Sequence, residues 1–299
     1  MRSGYFEISA GSTSTAAFIL SLHLRLAHHS ASGEVWRAER LLLTIERNQQ
    51  SRHPLIFWNV NSPPNTLGKS QRWKSLLRKG FLRSFLLWLV VAVLALWSLA
   101  ALLLVAARWI DPPTTAVQIQ RRFQAWIDDR QYHKWYEFVP LTQISPDLQH
   151  AVVAAEDARF YQHNGFDWHE IQIAAQEDLE GDRTRGASTL TQQLVKNLFF
   201  GTTRSILRKG AEATLVPVAE FVLGKRRILE LYLNVVEWGP GIYGAETASR
   251  FYYGTSARHI GRQEAARLAA ILPGPLKRRP ERMNRYSSII LNRMSQMGW

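Results

Sequence analysis

Four short blocks of this 299-residue chain place chemically useful side chains at close spacing. AVVAAEDARFYQHNGFDW (151–168) runs five apolar residues into the adjacent carboxylates Glu156 and Asp157, then adds Arg159, His163, Gly165 and Asp167. Two acids where a buried helix should end admit two readings. They are helix-end groups bonding nearby backbone or an arginine, or they are the chemical groups of a cleft. RGASTLTQQLVKNLFF (185–200) sorts at 100° per residue into Ser188, Thr189, Gln192, Gln193, Lys196 and Asn197 on one half. Leu190, Thr191, Leu194, Val195 and Leu198 take the other, with Phe199 intruding on the polar side. A solvated face usually carries Glu and Lys, whereas this one carries amides, hydroxyls and one lysine, as a sugar or phosphate ligand would require. Gly186 ahead of Ser188 suits a helix N-terminus whose free N–H groups meet an anion.

In RSILRKGAEATL (204–215), Arg204, Arg208 and Glu212 follow at i, i+4 and i+8, with Lys209 beside them. The pattern fits an ordinary surface Arg–Glu pair, worth a few tenths of a kcal/mol. It equally fits a carboxylate kept ionised among cations. KRRILELYLNVVEWGPGIYG (225–244) presents Glu230 and Asn234 four apart and ends in a loop with Gly239, Gly241 and Gly244. Those glycines serve a turn or the close approach of backbone to a ligand.

The elements that must hold these blocks are mostly helical. From about Pro140 to Trp299 strand-like alternation is scarce, and no internal repeat stands out. Ahead of them, Ser84–Ala107 is 24 residues without a charge. As a helix it is roughly 36 Å long, enough to cross a hydrocarbon layer of about 30 Å. It is too long and starts too late for a cleavable signal peptide. Lys69, Arg72, Lys74, Arg78, Lys79 and Arg83 precede it, whereas Arg108 is soon followed by Asp111. The positive-inside rule then puts the N-terminus in the cytoplasm and everything after Arg108 outside, with Trp109 as an interface anchor. The expected organisation is a poorly ordered tail (1–68), a basic juxtamembrane segment (69–83), the membrane helix (84–107), a linker (108–139) in which Asp111–Pro113 stops the helix, and a helical domain (140–299).

Composition narrows the chemistry. There is no cysteine, which excludes disulfides, thiolate zinc sites and a cysteine nucleophile. The net charge of +13 suggests nucleic acid or an anionic membrane. Residues 1–83, however, hold 12 Lys/Arg against 4 Glu, so the remaining 216 residues carry only +5. The excess is a topology signal and an anionic-lipid contact, and no nucleic-acid partner is expected.

Taken together, EDARFYQHNGFD, GASTLTQQLVKN, RSILRKGAE and KRRILELYLNVVEWGPGIYG, in that order and behind a membrane helix, resemble the peptidoglycan glycosyltransferases. These are the monofunctional biosynthetic transglycosylases and the glycosyltransferase half of bifunctional penicillin-binding proteins. The resemblance covers roughly 140–275; the first 68 residues resemble nothing in the family, and no transpeptidase domain follows, which points to the monofunctional branch. It implies a mainly helical, lysozyme-like, bilobal domain in the bacterial inner membrane, with its catalytic part periplasmic. The implied substrates are lipid II and the lipid-linked glycan chain, and the implied partners include cell-division or elongation proteins.

The resemblance also assigns roles. Glu156 becomes the base that takes the proton of the incoming 4-hydroxyl, with Asp157 and Arg159 supporting it. Glu212 becomes a second carboxylate near the donor's pyrophosphate and the candidate ligand of a divalent cation, Mg or Mn. Lys196, Arg204, Arg208 and Lys209 supply cations to the leaving pyrophosphate. Ser188, Thr189, Gln192, Gln193 and Asn197 line the donor site, and Glu230 is a further polar position. A glycan-cleaving enzyme would need no cation cluster, and a scaffold that had lost activity would show a damaged block.

Overall fold

The computed structural model describes residues 67–179, 187–203 and 205–299, with side chains from Phe81 onward except at 178 and 179. Residues 1–66 of the expected tail, Gly186 and Arg204 therefore lie outside the described residues. The chain divides into two compact units, Met1–Leu76 and Leu77–Trp299. Of the first, only the opening turns of α1 (Leu67–Ala107) are described.

The second unit is mainly helical, as the sequence patterns require. After α1 come α2 (Ala116–Ile127), α3 (Pro146–Glu156), α4 (Trp168–Leu179), α5 (Leu190–Phe199), α6 (Ile206–Val235), α7 (Ala245–Tyr253), α8 (Arg262–Ile271) and α9 (Asn284–Gln296). One small sheet joins β1 (Trp135–Tyr136), β2 (Glu237–Gly239) and β3 (Ile242–Tyr243) in the order β1-β3-β2, β1 parallel and β2 antiparallel to β3. The segment expected as a linker thus contributes α2, which packs on α5, and the edge strand β1.

Two helices set the site. In α3, Pro146 opens the first turn, where its missing N–H costs nothing, and Asp147 complements the helix dipole. Leu148, Ala151, Val152, Val153 and Ala154 are all buried, so the second half of α3 is apolar on every side and runs into the core. The alanine-rich face of α8 (Ala265, Ala266, Ala269, Ala270) packs against it, small side chains letting the two backbones approach. Helix α6 is two helices end to end. Gly224 interrupts it at φ 69°, a left-handed conformation open to glycine, and Pro217 lies within the first part. The break matches the two separate helical blocks expected from sequence.

Phe81–Ala107 of α1 is the one described helix long and apolar enough to cross a membrane. Its last turns are not free. Leu104 and Ala107 are buried in the domain core, and Trp97 Nε1 donates to Thr214 Oγ1 of α6 at 3.0 Å. Arg108 donates to the Val222 carbonyl, and Arg227 Nε to the Ala107 carbonyl at 2.9 Å.

Candidate active site

Glu156 is the last residue of α3, delivered by a buried helix to the domain interior. Its Oε2 accepts a 2.8 Å hydrogen bond from Gln193 Nε2 of α5. Its Oε1 is shielded from solvent and has no hydrogen-bond partner among the described residues. Burial pushes the carboxyl above its ordinary pKa; the Gln193 bond and the charges of Lys196 and Arg278 pull it back only in part. The carbonyl end of α3 adds further unfavourable potential for an anion. An unpartnered carboxylate oxygen with a raised proton affinity is what a general base needs.

Asp157 has a different post. Its Oδ2 accepts the Leu190 backbone N–H at 2.9 Å, and its Oδ1 accepts from His163 Nε2 at 2.9 Å. The tautomer follows from the next bond: Gly165 N–H donates to His163 Nδ1, so the ring proton is on Nε2. Both Asp157 oxygens are committed to structure. Arg159, expected to support Glu156, lies 3.6 Å from Asp167 and bonds Gln162.

Helix α5 starts later than Gly186 suggested, with Thr189 as N-cap. The Thr189 and Gln192 side chains form a reciprocal capping box, and the Thr189 hydroxyl also donates to the Gly165 carbonyl at 2.7 Å. Gly165 is at φ 91°, and a Cβ there would strike Val216, so this close approach requires glycine. The polar half of α5 therefore divides. Thr189 is buried in the cap, Asn197 is buried with its amide bonded to the Gln193 carbonyl, and Gln193 and Lys196 face Glu156.

Across from them stands α6. It begins at Ile206, which puts Arg208, Lys209 and Glu212 on its first two turns. Glu212 is 2% exposed. Arg208 bonds one of its oxygens, and Lys209 Nζ lies 3.7 Å from the other. Lys209 also donates to Ser188 Oγ at 3.2 Å and Gln192 Oε1 at 3.4 Å. Burial lowers the pKa of both Lys196 and Lys209, and the charge of Arg208 lowers both further; Lys196 also acts on Lys209. Three cations thus act on one another, Lys196 reaching toward Glu156 and Arg208 and Lys209 paired with Glu212.

Glu230 stays apart from this cluster. It accepts the Leu141 N–H at 2.7 Å and pairs with Arg227 at 2.6 Å, and Arg227 in turn holds Ala107 and Asp111. Its position in the sequence block therefore reflects a tie between α6, the turn at Leu141 and the end of α1.

Neither acidic group makes a divalent-cation site by itself. Glu212 is a single carboxylate already faced by two cations, so an ion there would take most of its ligands from water and the substrate's phosphates. Asp157, His163 and Asp167 bring ligand atoms within 4.8 Å of one another. However, His163 Nε2 carries a proton and has no lone pair to offer. Two residues of the site escape the sequence blocks' candidate set. The Tyr232 hydroxyl donates to Gln193 Oε1 at 3.0 Å, but at its position the alternation of ILELYLN reads as core. Arg278, from the loop after α8, is close enough for its charge to act on Glu156; its run of basic residues reads as surface.

Residues 122–295 match the family model described as Transglycosylase, starting within the segment expected to be a linker. Proteins named biosynthetic peptidoglycan transglycosylase are similar over most of the chain. One from Pseudomonas putida F1 is 42% identical over 209 residues, 68% of this chain and 89% of that protein. One from Shewanella oneidensis is 45% identical over 216 residues, 71% of this chain and 91% of that protein. With the unpartnered carboxylate and the cation cluster held as described, the chain belongs to the transglycosylase family.

Proposed function

We propose that this protein polymerises lipid II into linear glycan strands of peptidoglycan, with the growing lipid-linked chain as donor. The observation that carries the reading is Glu156, with its partnerless Oε1, beside Lys196, which in turn sits in the field of Arg208 and acts on Lys209. Glycosyl transfer from a pyrophosphate has two electrostatic demands, and these groups answer both. As the incoming 4-hydroxyl bonds to the donor's anomeric carbon, its proton passes to Glu156 Oε1. The bond from that carbon to the phosphate oxygen breaks on the opposite face, with inversion, and the electron pair leaves on undecaprenyl pyrophosphate. The mutual repulsion of the three cations is relieved when that anion binds, so the site is arranged for charge that develops in the transition state. The acids of a glycan-cleaving enzyme would act without such a cluster.

The packing of α1 supports a lipid-linked substrate. From Arg83 a 30 Å hydrocarbon layer reaches about residue 103, and counted back from Arg108 it starts near residue 88. Trp97 lies within the layer on either count, roughly 9–16 Å below its outer edge. Thr214, bonded to Trp97, lies at the same depth. Over this stretch α6 runs in the direction of α1, from the Thr214–Trp97 pair to the Val222–Arg108 pair. Its opening turn is therefore on the bilayer side of Thr214. There Ile206 and Leu207 are 92% and 87% exposed, and farther along Phe221 is 89% exposed. Arg208 and Lys209 lie on the same turns, so exposed apolar side chains flank groups suited to a phosphate, which supports a phosphate carried on a lipid.

The test is direct. Purified protein given lipid II in detergent should yield long, lysozyme-sensitive glycan and release undecaprenyl pyrophosphate. No polymer from active substrate would overturn the reading.

A further inference from the structure

Tyr232 lies on the second half of α6, in the core, fully buried with Leu231 and Leu233 as neighbours in the chain. Its hydroxyl has one partner among the described residues, Gln193 Oε1. The amide of Gln193 is thereby held from both ends, since its Nε2 reaches Glu156 Oε2 at 2.8 Å and, more weakly, the Ser188 carbonyl at 3.4 Å. We propose that Tyr232 is a positioning residue for glycosyl transfer, fixing the amide of Gln193 so that it donates to Glu156 and leaves Glu156 Oε1 free for the acceptor's proton. The inference rests on the reading of Glu156 as the base.

The argument is one of hydrogen-bond satisfaction. Were Gln193 to flip, its Nε2 would face the tyrosine oxygen and its Oε1 would face Glu156. The buried phenolic proton would then lack an acceptor, which is costly in a dry interior. Ionised Glu156 would meet an acceptor, whereas protonated Glu156 would gain one. The flipped state thus stabilises the protonated carboxyl and removes the base. Tyr232 selects against it as long as its hydroxyl keeps its proton. Burial and the nearby charges of Glu156 and Asp157 raise the tyrosine's pKa well above its ordinary value, so it donates across the working pH range. Gln193 then lowers the proton affinity of a carboxyl that burial raises.

Tyr232→Phe removes the hydroxyl and keeps the ring in the core. With lipid II in detergent, kcat and KM are followed from about pH 5 to 9 beside the melting temperature. The acid limb of kcat should move up by roughly half to one pH unit, about one hydrogen bond's worth. On the acid limb kcat should fall roughly 3- to 10-fold, recovering on the alkaline plateau, with KM little changed. Gln193→Met cuts the same link from the amide side and should move the limb the same way. In that background Tyr232→Phe should add less than about twofold, because residues acting through one partner are not additive. An unmoved acid limb, or the same loss in both backgrounds, overturns the inference and makes Tyr232 a packing residue. Glu156→Gln is run alongside. If it keeps activity, the base reading fails; if it is inactive while Tyr232→Phe matches wild type, only the role of Tyr232 fails.

Discussion

Asp157 and Leu190 are 33 positions apart, and Asp157 Oδ2 accepts the Leu190 backbone N–H at 2.9 Å. The bond ties the end of α3 to the first turn of α5, where an acid also meets the positive end of the helix dipole. Once the two helices are tied, Gln193, one turn into α5, is set against Glu156. The adjacent acids thus differ in their partners, Asp157 spending both oxygens on the frame while Glu156 Oε1 has none among the described residues.

That division predicts opposite mutational signatures. In Asp157→Asn the side-chain oxygen can still accept from Leu190, but the amide nitrogen then confronts the proton on His163 Nε2. Loss of this buried bond should cost about 1–3 kcal/mol, seen as a lower denaturation midpoint, with activity falling in parallel. Full stability with lost activity would move Asp157 into the chemistry.

Glu156→Gln should do the reverse. Losing a general base typically costs about 10²–10⁴-fold in rate, while the fold should gain. Because burial holds the Glu156 pKa above its unfolded value, the folded state binds the extra proton. Wild-type stability therefore falls as pH rises from the ordinary carboxyl value through the raised one. The Gln variant escapes that loss. Its melting temperature should exceed wild type at neutral pH, and the difference should vanish below the ordinary carboxyl range. A lower melting temperature at every pH would show the carboxylate to be structural.

Much of this was readable in advance, for identifiable reasons. The membrane helix is a matter of length and charge, whereas the apolar run into Glu156 left a helix-end acid and a carboxylate in a cleft as open readings. The wheel of α5 marked a face but could not divide it, because Thr189, Gln192 and Asn197 are polar for the sake of caps and backbone bonds, while Gln193 and Lys196 point to the site. Glu230 shares its sequence block's polar character for a structural tie. Tyr232 and Arg278 join the site through tertiary packing, which a single sequence does not encode as spacing.

The cations should separate by their partners. Lys196 has a lowered pKa, so the unfolded chain binds its proton more tightly and its charge weighs against folding. Lys196→Met should raise stability at neutral pH, with the gain shrinking as pH approaches the ordinary lysine value. It should also abolish the thermal protection given by added pyrophosphate. Arg208→Met, by contrast, leaves Glu212 buried beside only a more distant lysine and should cost about 3–5 kcal/mol. Adding Glu212→Gln should return most of that stability without returning pyrophosphate binding. Equal stability losses for Lys196→Met and Arg208→Met would contradict the account.

The exposed opening of α6 offers the test of membrane depth. Ile206 and Leu207 are almost wholly exposed, so Ile206→Glu with Leu207→Glu removes little packing and should leave the melting temperature in detergent unchanged. If the turn dips into the bilayer, two charges there oppose insertion, each by less than the roughly 2–4 kcal/mol that a basic charge costs at mid-bilayer, and by less still toward the surface. Polymerisation of lipid II embedded in vesicles should then fall at least tenfold, the equivalent of about 1.4 kcal/mol. In detergent micelles, where no fixed bilayer plane constrains the domain, the variant should keep most of its wild-type rate. An equal loss in both settings would mean that Ile206 and Leu207 serve the site itself. Unchanged rates in both would place the start of α6 in water, and the depth inferred from the Trp97–Thr214 bond would be wrong.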